Sequence, residues 1–254
     1  MKAYCLGSGS SGNCYLFQFN NGEKIMVECG LTFKETLIRG TRFLVNPCEF
    51  KNVFITHAHG DHCCCVNDLV KRSFNVYASE ETAQRLNIPS LLKTSARNKI
   101  NDNLSVIPFS VQHDIEGSVG FAFFAGDEKV LFINDFKRFE VDLSKIKFNY
   151  VFIECNYYQK MVYTIYSESV KRFNNGDHSR EIINDIKMYE RNLKSHASLA
   201  TTVKALNGLN LSECKAIFLM HLSEHNSAPL IMRETITKTF KKSVYICQKN
   251  GGIQ

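Results

Sequence analysis

The sequence predicts an α/β chain in which two β-sheets are flanked by helices. Three observations point there. Short runs rich in Val, Ile, Phe and Tyr, bounded by turn residues, recur through the chain. Stretches with helical spacing separate and follow them. A length of 254 residues with 44% hydrophobic and 22% charged content supplies enough apolar surface for a sizeable core. No repeat, low-complexity tract or linker is visible, so one domain over residues 1–254 is the expectation.

In chain order, strands are expected at KAYCL (residues 2–6), CYLFQF (14–19) and KIMVEC (24–29), then a helix at TFKETLIRG (32–40), the strand NVFIT (52–56) and a helix after His62. NVYAS (75–79) and a short helix at SEETAQRLN (79–87) lead into the strands LSVIPF, VGFAFFA, KVLFIND and YVFIEC. From residue 167 to about 206 the pattern turns helical and polar. AIFLMH (216–221), a helix from about 229 to 241 and the strand SVYICQ (243–248) complete the chain. Helices on the outer faces of two sheets accommodate this order.

Composition limits the function classes. No apolar run approaches the roughly eighteen residues of a membrane span, and MKAYCLGSGSSGN lacks a secretory apolar core, so the expectation is a cytoplasmic protein without a membrane partner. The ten cysteines are scattered through core-like segments, and Cys63, Cys64 and Cys65 have no C-x-x-C partner. They read as buried thiols packed beneath the neighbouring histidines rather than as a disulfide frame or structural zinc site. The net charge of +6 is concentrated in residues 151–254, with 14 Lys+Arg against 9 Asp+Glu, which is weak support for a polyanionic partner.

The chemistry concentrates in THAHGDH, Thr56 to His62, directly after an apolar strand. On an extended strand end, residues two apart point the same way, so His57 and His59 can face one ion. Gly60 permits a sharp turn, and a helix beginning near Asp61 would swing Asp61 and His62 toward a second position. Any one histidine alone reads as an ordinary polar residue, whereas the whole string points to metal. Further ligands must come from downstream, and ligand-type residues stand at the exits of three apolar strands: His113, Asp135 and His221.

These residues make the sequence similar to the metallo-β-lactamase-fold hydrolase superfamily, over nearly its whole length. That resemblance implies a four-layer αββα metallo-β-lactamase-type sandwich with a binuclear site at one sheet edge. It implies that His57, His59 and His113 hold one metal, that Asp61, His62 and His221 hold the other, and that Asp135 bridges them. Histidine rather than glutamate at position 59 favours hydrolysis over diiron redox chemistry.

Within the superfamily, LGSGSSGNCYL, HDIEGSVGF, FIECNYY, SHAS and HLSEHNS occur in an order similar to the WalJ (YycJ)-type branch, associated with 5′ to 3′ DNA exonuclease activity. Phosphodiesterases such as the phosphoribosyl cyclic phosphodiesterase share much of it. The chain departs from the branch in having DFKRF where an Asp-Thr-Gly is usual, SHASL for GHLSN, and Tyr158 where an aspartate follows.

The resemblance implies a dinuclear metal-dependent phosphodiester hydrolase, in which two divalent ions (Zn, Mn or Fe) hold a bridging hydroxide that attacks phosphorus in line. Asp61 and His196 are the residues expected in the catalytic step, His196 as proton donor to the leaving oxygen or as a phosphate contact. Glu154 and Asn156 are expected to fix ligand histidines from behind. The Gly-Ser turn reads as a hairpin or as an anion cradle, with Ser10, Ser11 and Asn13 as phosphate or nucleic-acid contacts. Lys137 and Arg138 are the other contact candidates, against a plain solvated loop. Lys171, Arg172, Arg180, Lys187, Arg191 and Lys194 mark the polar helical segment as a lid over the cleft. Nucleic acid, with DNA favoured, is the expected substrate; the alternatives are a cyclic or nucleotide phosphodiester and a non-catalytic nucleic-acid-binding module. The sequence leaves the oligomeric state open.

Overall fold

The computed structural model describes residues 1–89 and 92–254. A five-stranded sheet has the order β1 (Lys2–Gly7), β2 (Cys14–Gln18), β3 (Lys24–Val27), β4 (Asn52–Phe54), β5 (Asn75–Tyr77). A seven-stranded sheet runs β12 (Ser243–Ile246), β11 (Ala216–Met220), β10 (Tyr150–Glu154), β9 (Glu128–Ile133), β8 (Val119–Ala125), β7 (Leu104–Ser110), β6 (Asn98–Lys99). The two-residue strand β6 has no counterpart in the sequence reading.

The central strands are apolar on both faces because both faces are covered. Along β9, Val130 and Phe132 enter the core between the sheets while Leu131 and Ile133 enter the core beneath the outer helices. Along β11, Phe218 and Met220 face inward and Ile217 and Leu219 outward. The intersheet core is aromatic: the Phe152 and Phe218 rings stack at 4.2 Å, and Phe17 meets Phe152 at 4.6 Å. A third cluster covers the outer face of the five-stranded sheet, where α1 (Phe33–Arg42), α3 (Val66–Lys71) and α4 (Glu80–Leu86) lie, while α7 (Leu199–Asn207) and α8 (Pro229–Phe240) cover the other sheet. The layers are therefore helix, sheet, sheet, helix, as expected.

Two expected helices divide. The helix after His62 is a single turn, α2 (Gly60–Cys63), followed by α3. The polar helical stretch begins earlier than residue 167 and contains three helices: α5 (Gln159–Asn174), α6 (Arg180–Ser195) and α7. The breaks have local causes, since Gly176 takes φ 95°, and Ser179 and Ser198 cap the following helices by accepting from Ile182 N and Thr201 N. No helix among the described residues is long and apolar enough to cross a membrane. All ten cysteines are free; Cys63 and Cys65 are buried as expected, but Cys64 is exposed because it ends the single turn α2 on its outer side.

Strand direction positions the site. β9, β10, β11 and β12 are mutually parallel, as are β3, β4 and β5, so their C-terminal ends gather at common edges. Parallel α/β sheets bind ligands at that end of their strands.

Candidate metal centre

The side chains that converge here leave their strands at turns that bend the backbone sharply. Glu28 after β3, Asp135 after β9 and His221 after β11 take φ of 64°, 48° and 54°. A non-glycine residue in this region costs about 1–3 kcal/mol. Three such residues where strand ends of the two sheets meet mark strain that the surrounding hydrogen bonds hold in place. Beneath α2 the packing admits no side chain: a Cβ on Gly30 would lie 1.7 Å from the Asp61 carbonyl oxygen. Asp61 O instead accepts from Asn13 N at 2.8 Å, and His62 O from Cys29 N at 2.8 Å.

The structure brings all seven sequence-predicted ligand candidates together. His57, His59 and His113 form one group whose ligand atoms lie within 4.8 Å of one another; Asp61, His62 and His221 form another, and His57, His62 and Asp135 a third that joins them. Asp135 Oδ2 is 3.3 Å from His62 Nε2, 3.7 Å from His113 Nε2 and 3.8 Å from His57 Nε2, and Oδ1 is 3.5 Å from His221 Nδ1. Asp61 Oδ2 lies 3.4 Å from His62 Nε2 and 3.5 Å from His221 Nε2.

Several of these atoms are buried without a hydrogen-bond partner, among them His57 Nε2, His221 Nε2 and Asp135 Oδ1. Orphaned buried polar atoms are costly, and a cation among them would satisfy all of them together. The electrostatics agree. Burial, reinforced by the neighbouring histidines, keeps His57 neutral, the form that ligates. Burial also opposes charge on His62, but Asp135 and Glu28 outweigh it and raise this imidazole well above its usual range. The Asp135 carboxyl is pulled well below its usual range: burial works the other way, but His221 and His62 outweigh it. The donor set of imidazoles and carboxylates fits divalent transition ions.

Behind the ligands stands a layer the sequence reading partly missed. Glu28, fully buried, accepts from Thr56 Oγ1 at 2.5 Å and lies 3.2 Å from His62 Nδ1. Thr56 Oγ1 is in turn 2.8 Å from His57 Nδ1. One carboxylate thus reaches a histidine of each group. Its sequence signal was present: Glu28 is an acidic residue at the exit of an apolar strand, as Asp135 is. Ser8 was also missed; its Oγ accepts from Tyr15 OH and from His221 N, both at 2.8 Å. His113 Nδ1 donates to Ser195 O at 2.9 Å, which leaves Nε2 as the nitrogen with a free lone pair.

Asn156 and Glu154 hydrogen-bond different rings, and only Asn156 meets a histidine of the expected ligand set. Asn156 Nδ2 lies 3.0 Å from His221 Nδ1 and 2.8 Å from its carbonyl oxygen. Glu154 Oε1 is 2.6 Å from His196 Nδ1, and Oε2 accepts from Phe136 N and Ala197 N. Burial disfavours the charged His196 ring, yet Glu154 and Asp135 raise it to about 9. His196 follows the C-terminus of α6 rather than opening a helix.

The contact candidates separate. Asn13 is fully buried, its Oδ1 accepting from Gly9 N and its Nδ2 reaching Asp61 O and His62 Nε2. It braces the site and cannot touch substrate, because the turn with Gly9 and Gly12 at positive φ curls its side chain inward. Ser11 is exposed. Ser10 lines the cleft of about 670 Å³ over the metal centre, together with His59, Asp61, Asp135, His196 and His221 on one side and Lys187, Met188, Arg191 and Asn192 of α6 on the other. Lys137 and Arg138 line a neighbouring groove with Phe139 and Lys204. Lys171, Arg172, Arg180 and Lys194 of the lid segment do not line the cleft.

Comparison with known proteins places this geometry. The family model described as "Metallo-beta-lactamase superfamily" matches residues 7–139. The Bacillus anthracis protein named Exodeoxyribonuclease YycJ is 26% identical over 250 residues, covering 93% of this chain and 88% of that one. A Methanococcus maripaludis protein named Ribonuclease Z is 28% identical over 119 residues, 37% of each chain. Among solved structures, the metallo-β-lactamase-fold protein YhfI of Bacillus subtilis superposes with a TM-score of 0.64 at 15% identity, over 99% of this chain and 98% of that one.

Proposed function

The chain belongs to the metallo-β-lactamase superfamily and is a metal-dependent hydrolase, and from that premise we propose that it cleaves nucleic-acid phosphodiesters, as a 5′ to 3′ exonuclease on DNA. The observation that carries the reading is the convergence of His57, His59, Asp61, His62, His113, Asp135 and His221 from strand ends of both sheets, with buried nitrogen and oxygen atoms left for cations. The choice of DNA is supported by the likeness to the exodeoxyribonuclease along nearly the whole chain. Ten free cysteines suit a reducing cytoplasm.

In this reading His57, His59 and His113 would hold one divalent ion and Asp61, His62 and His221 a second, with the Asp135 carboxylate between the two groups. Bound there, such ions lower the pKa of water and neutralise charge on phosphate oxygens. The protein's own residues do the rest. Glu28 and Thr56 fix the imidazole orientations, and Asn13 and Gly30 seat α2. His196, tied to Glu154 through Nδ1, keeps Nε2 without a hydrogen bond among the described residues, available to protonate the departing sugar oxygen. Ser10 meets phosphate from the turn side of the cleft, and Lys137 and Arg138 carry the strand into the groove beyond.

The test is a metal-free preparation reconstituted separately with Zn, Mn or Fe and offered 5′-phosphorylated single- and double-stranded DNA, RNA and bis-p-nitrophenyl phosphate. Restored release of nucleotides from the 5′ end of DNA is the expected result. Hydrolysis of the small diester with every polymer left intact would make the protein a small-molecule phosphodiesterase instead.

A further inference from the structure

Helix α6 is amphipathic in an unusual direction. One side packs on α5, where Tyr189 is buried with Tyr157 and Val162, and Leu193 covers them. The other side is exposed and forms a wall of the open cleft: Lys187, Met188, Arg191 and Asn192, two i,i+4 pairs on one helical face. Two of these four are cations and none is acidic, although α6 also carries Glu181, Asp185 and Glu190, which do not line the cleft.

Arg191 is held in place from the metal side. Its Nε donates to Asp114 Oδ2 at 3.0 Å, and the other oxygen of Asp114 lies 2.9 Å from His113 Nε2 and 3.5 Å from His59 Nε2. The guanidinium makes no other hydrogen bond among the described residues, so both terminal amino groups remain free while the head group is fixed. A preorganised planar fork of this kind suits phosphate oxygens. Its charge also offsets that of Asp114, which would otherwise repel an incoming phosphate.

We propose that α6 is the phosphate-binding wall of the cleft, with Arg191, anchored by Asp114, gripping the phosphate next to the one cleaved and Lys187 gripping the following one. Lys187 stands four residues from Arg191, about 6 Å along the axis, close to the step between phosphates on an extended strand. Met188, 42% exposed between them, offers a soft apolar surface to a base without selecting its identity. The proposal rests on the nucleic-acid reading above.

The experiment measures affinity of the metal-loaded protein for a cleavage-resistant phosphorothioate single strand across a range of salt, for wild type, Lys187→Ala with Arg191→Ala, and Arg191→Lys. The double variant is expected to lower the slope of log affinity against log salt by roughly 1.4, at about 0.7 per lost contact. Arg191→Lys is expected to keep the slope while binding more weakly, because the charge stays and the fork goes. Its metal content checks that the cleft is intact. A wild-type slope that persists in the double variant overturns the assignment of α6 and leaves the nuclease reading standing. Wild-type protein that hydrolyses bis-p-nitrophenyl phosphate but shows no salt-dependent affinity for the strand overturns both.

Discussion

Asp135 and Arg191 face the same cleft under opposite conditions. Asp135 is 3% exposed, at a strained strand exit, with four histidines within 3.8 Å of its carboxylate. The Arg191 side chain is 62% exposed, on a helical hairpin, with one ionic partner. The floor of the cleft is therefore built from strand ends whose geometry the sheets impose and whose polar atoms are braced from behind. The wall is built from exposed helix surface, where Arg191 is anchored by the single carboxylate of Asp114. A floor of this kind suits bond breaking, which tolerates little displacement. A wall of this kind suits a flexible polymer bound through its charge.

The comparison predicts that damage to the floor costs chemistry first. Asp135→Ala removes the carboxylate that joins the two ligand groups, and it is expected to abolish turnover on every phosphodiester while polymer affinity suffers far less. Measured metal content and steady-state rates decide it. A variant that retains two ions and near-normal turnover would remove Asp135 from the joining role.

A smaller effect is expected at the boundary between floor and wall. His196→Ala should leave metal content intact and slow a natural diester, whose alkoxide leaves poorly, by roughly 10²- to 10⁴-fold. Bis-p-nitrophenyl phosphate, with a leaving group that needs little protonation, should lose much less. Equal losses on the two substrates would reassign His196 to phosphate binding, and loss of metal would make it a ligand.

The same division explains what the sequence disclosed. The floor was legible where chemistry is packed into a short string, as in THAHGDH, or stands at the end of an apolar strand, as do His113, Asp135 and His221. Strand direction then carried those ends together. Asn13 was misread because a Gly-Ser turn looks the same whether its polar side chain points out to an anion or in to a backbone carbonyl. The long polar helical stretch was recognised as helix, but its folding into a hairpin, and the choice of Lys187 and Arg191 among six basic residues to face the cleft, depend on how α5 and α6 pack. That packing leaves no mark in a one-dimensional charge pattern.

Glu28 is the instructive omission, because its position at the exit of KIMVEC obeys the rule that found Asp135. The rule was applied downstream of the histidine string only, and Glu28 lies upstream of it. Its contacts give it a definite role: fully buried, it reaches His62 directly and His57 through Thr56, so one side chain sets the orientation of a ring in each ligand group. Glu28→Gln keeps the shape and the hydrogen bond from Thr56 but removes the charge that supports His62 as a ligand. Residues that brace metal-bound histidines typically cost about 10- to 100-fold in metal affinity or activity when changed. The expected outcome is a loss of that size in ion affinity, recovered at saturating metal, with activity at saturation falling less than in His196→Ala. Titration of the metal-free protein with Zn or Mn, followed by rate measurement at each concentration, separates the cases. A loss that saturating metal does not recover would mean that Glu28 acts on the reaction itself, and unchanged affinity would mean that the strained backbone at position 28 holds His62 without help from the charge.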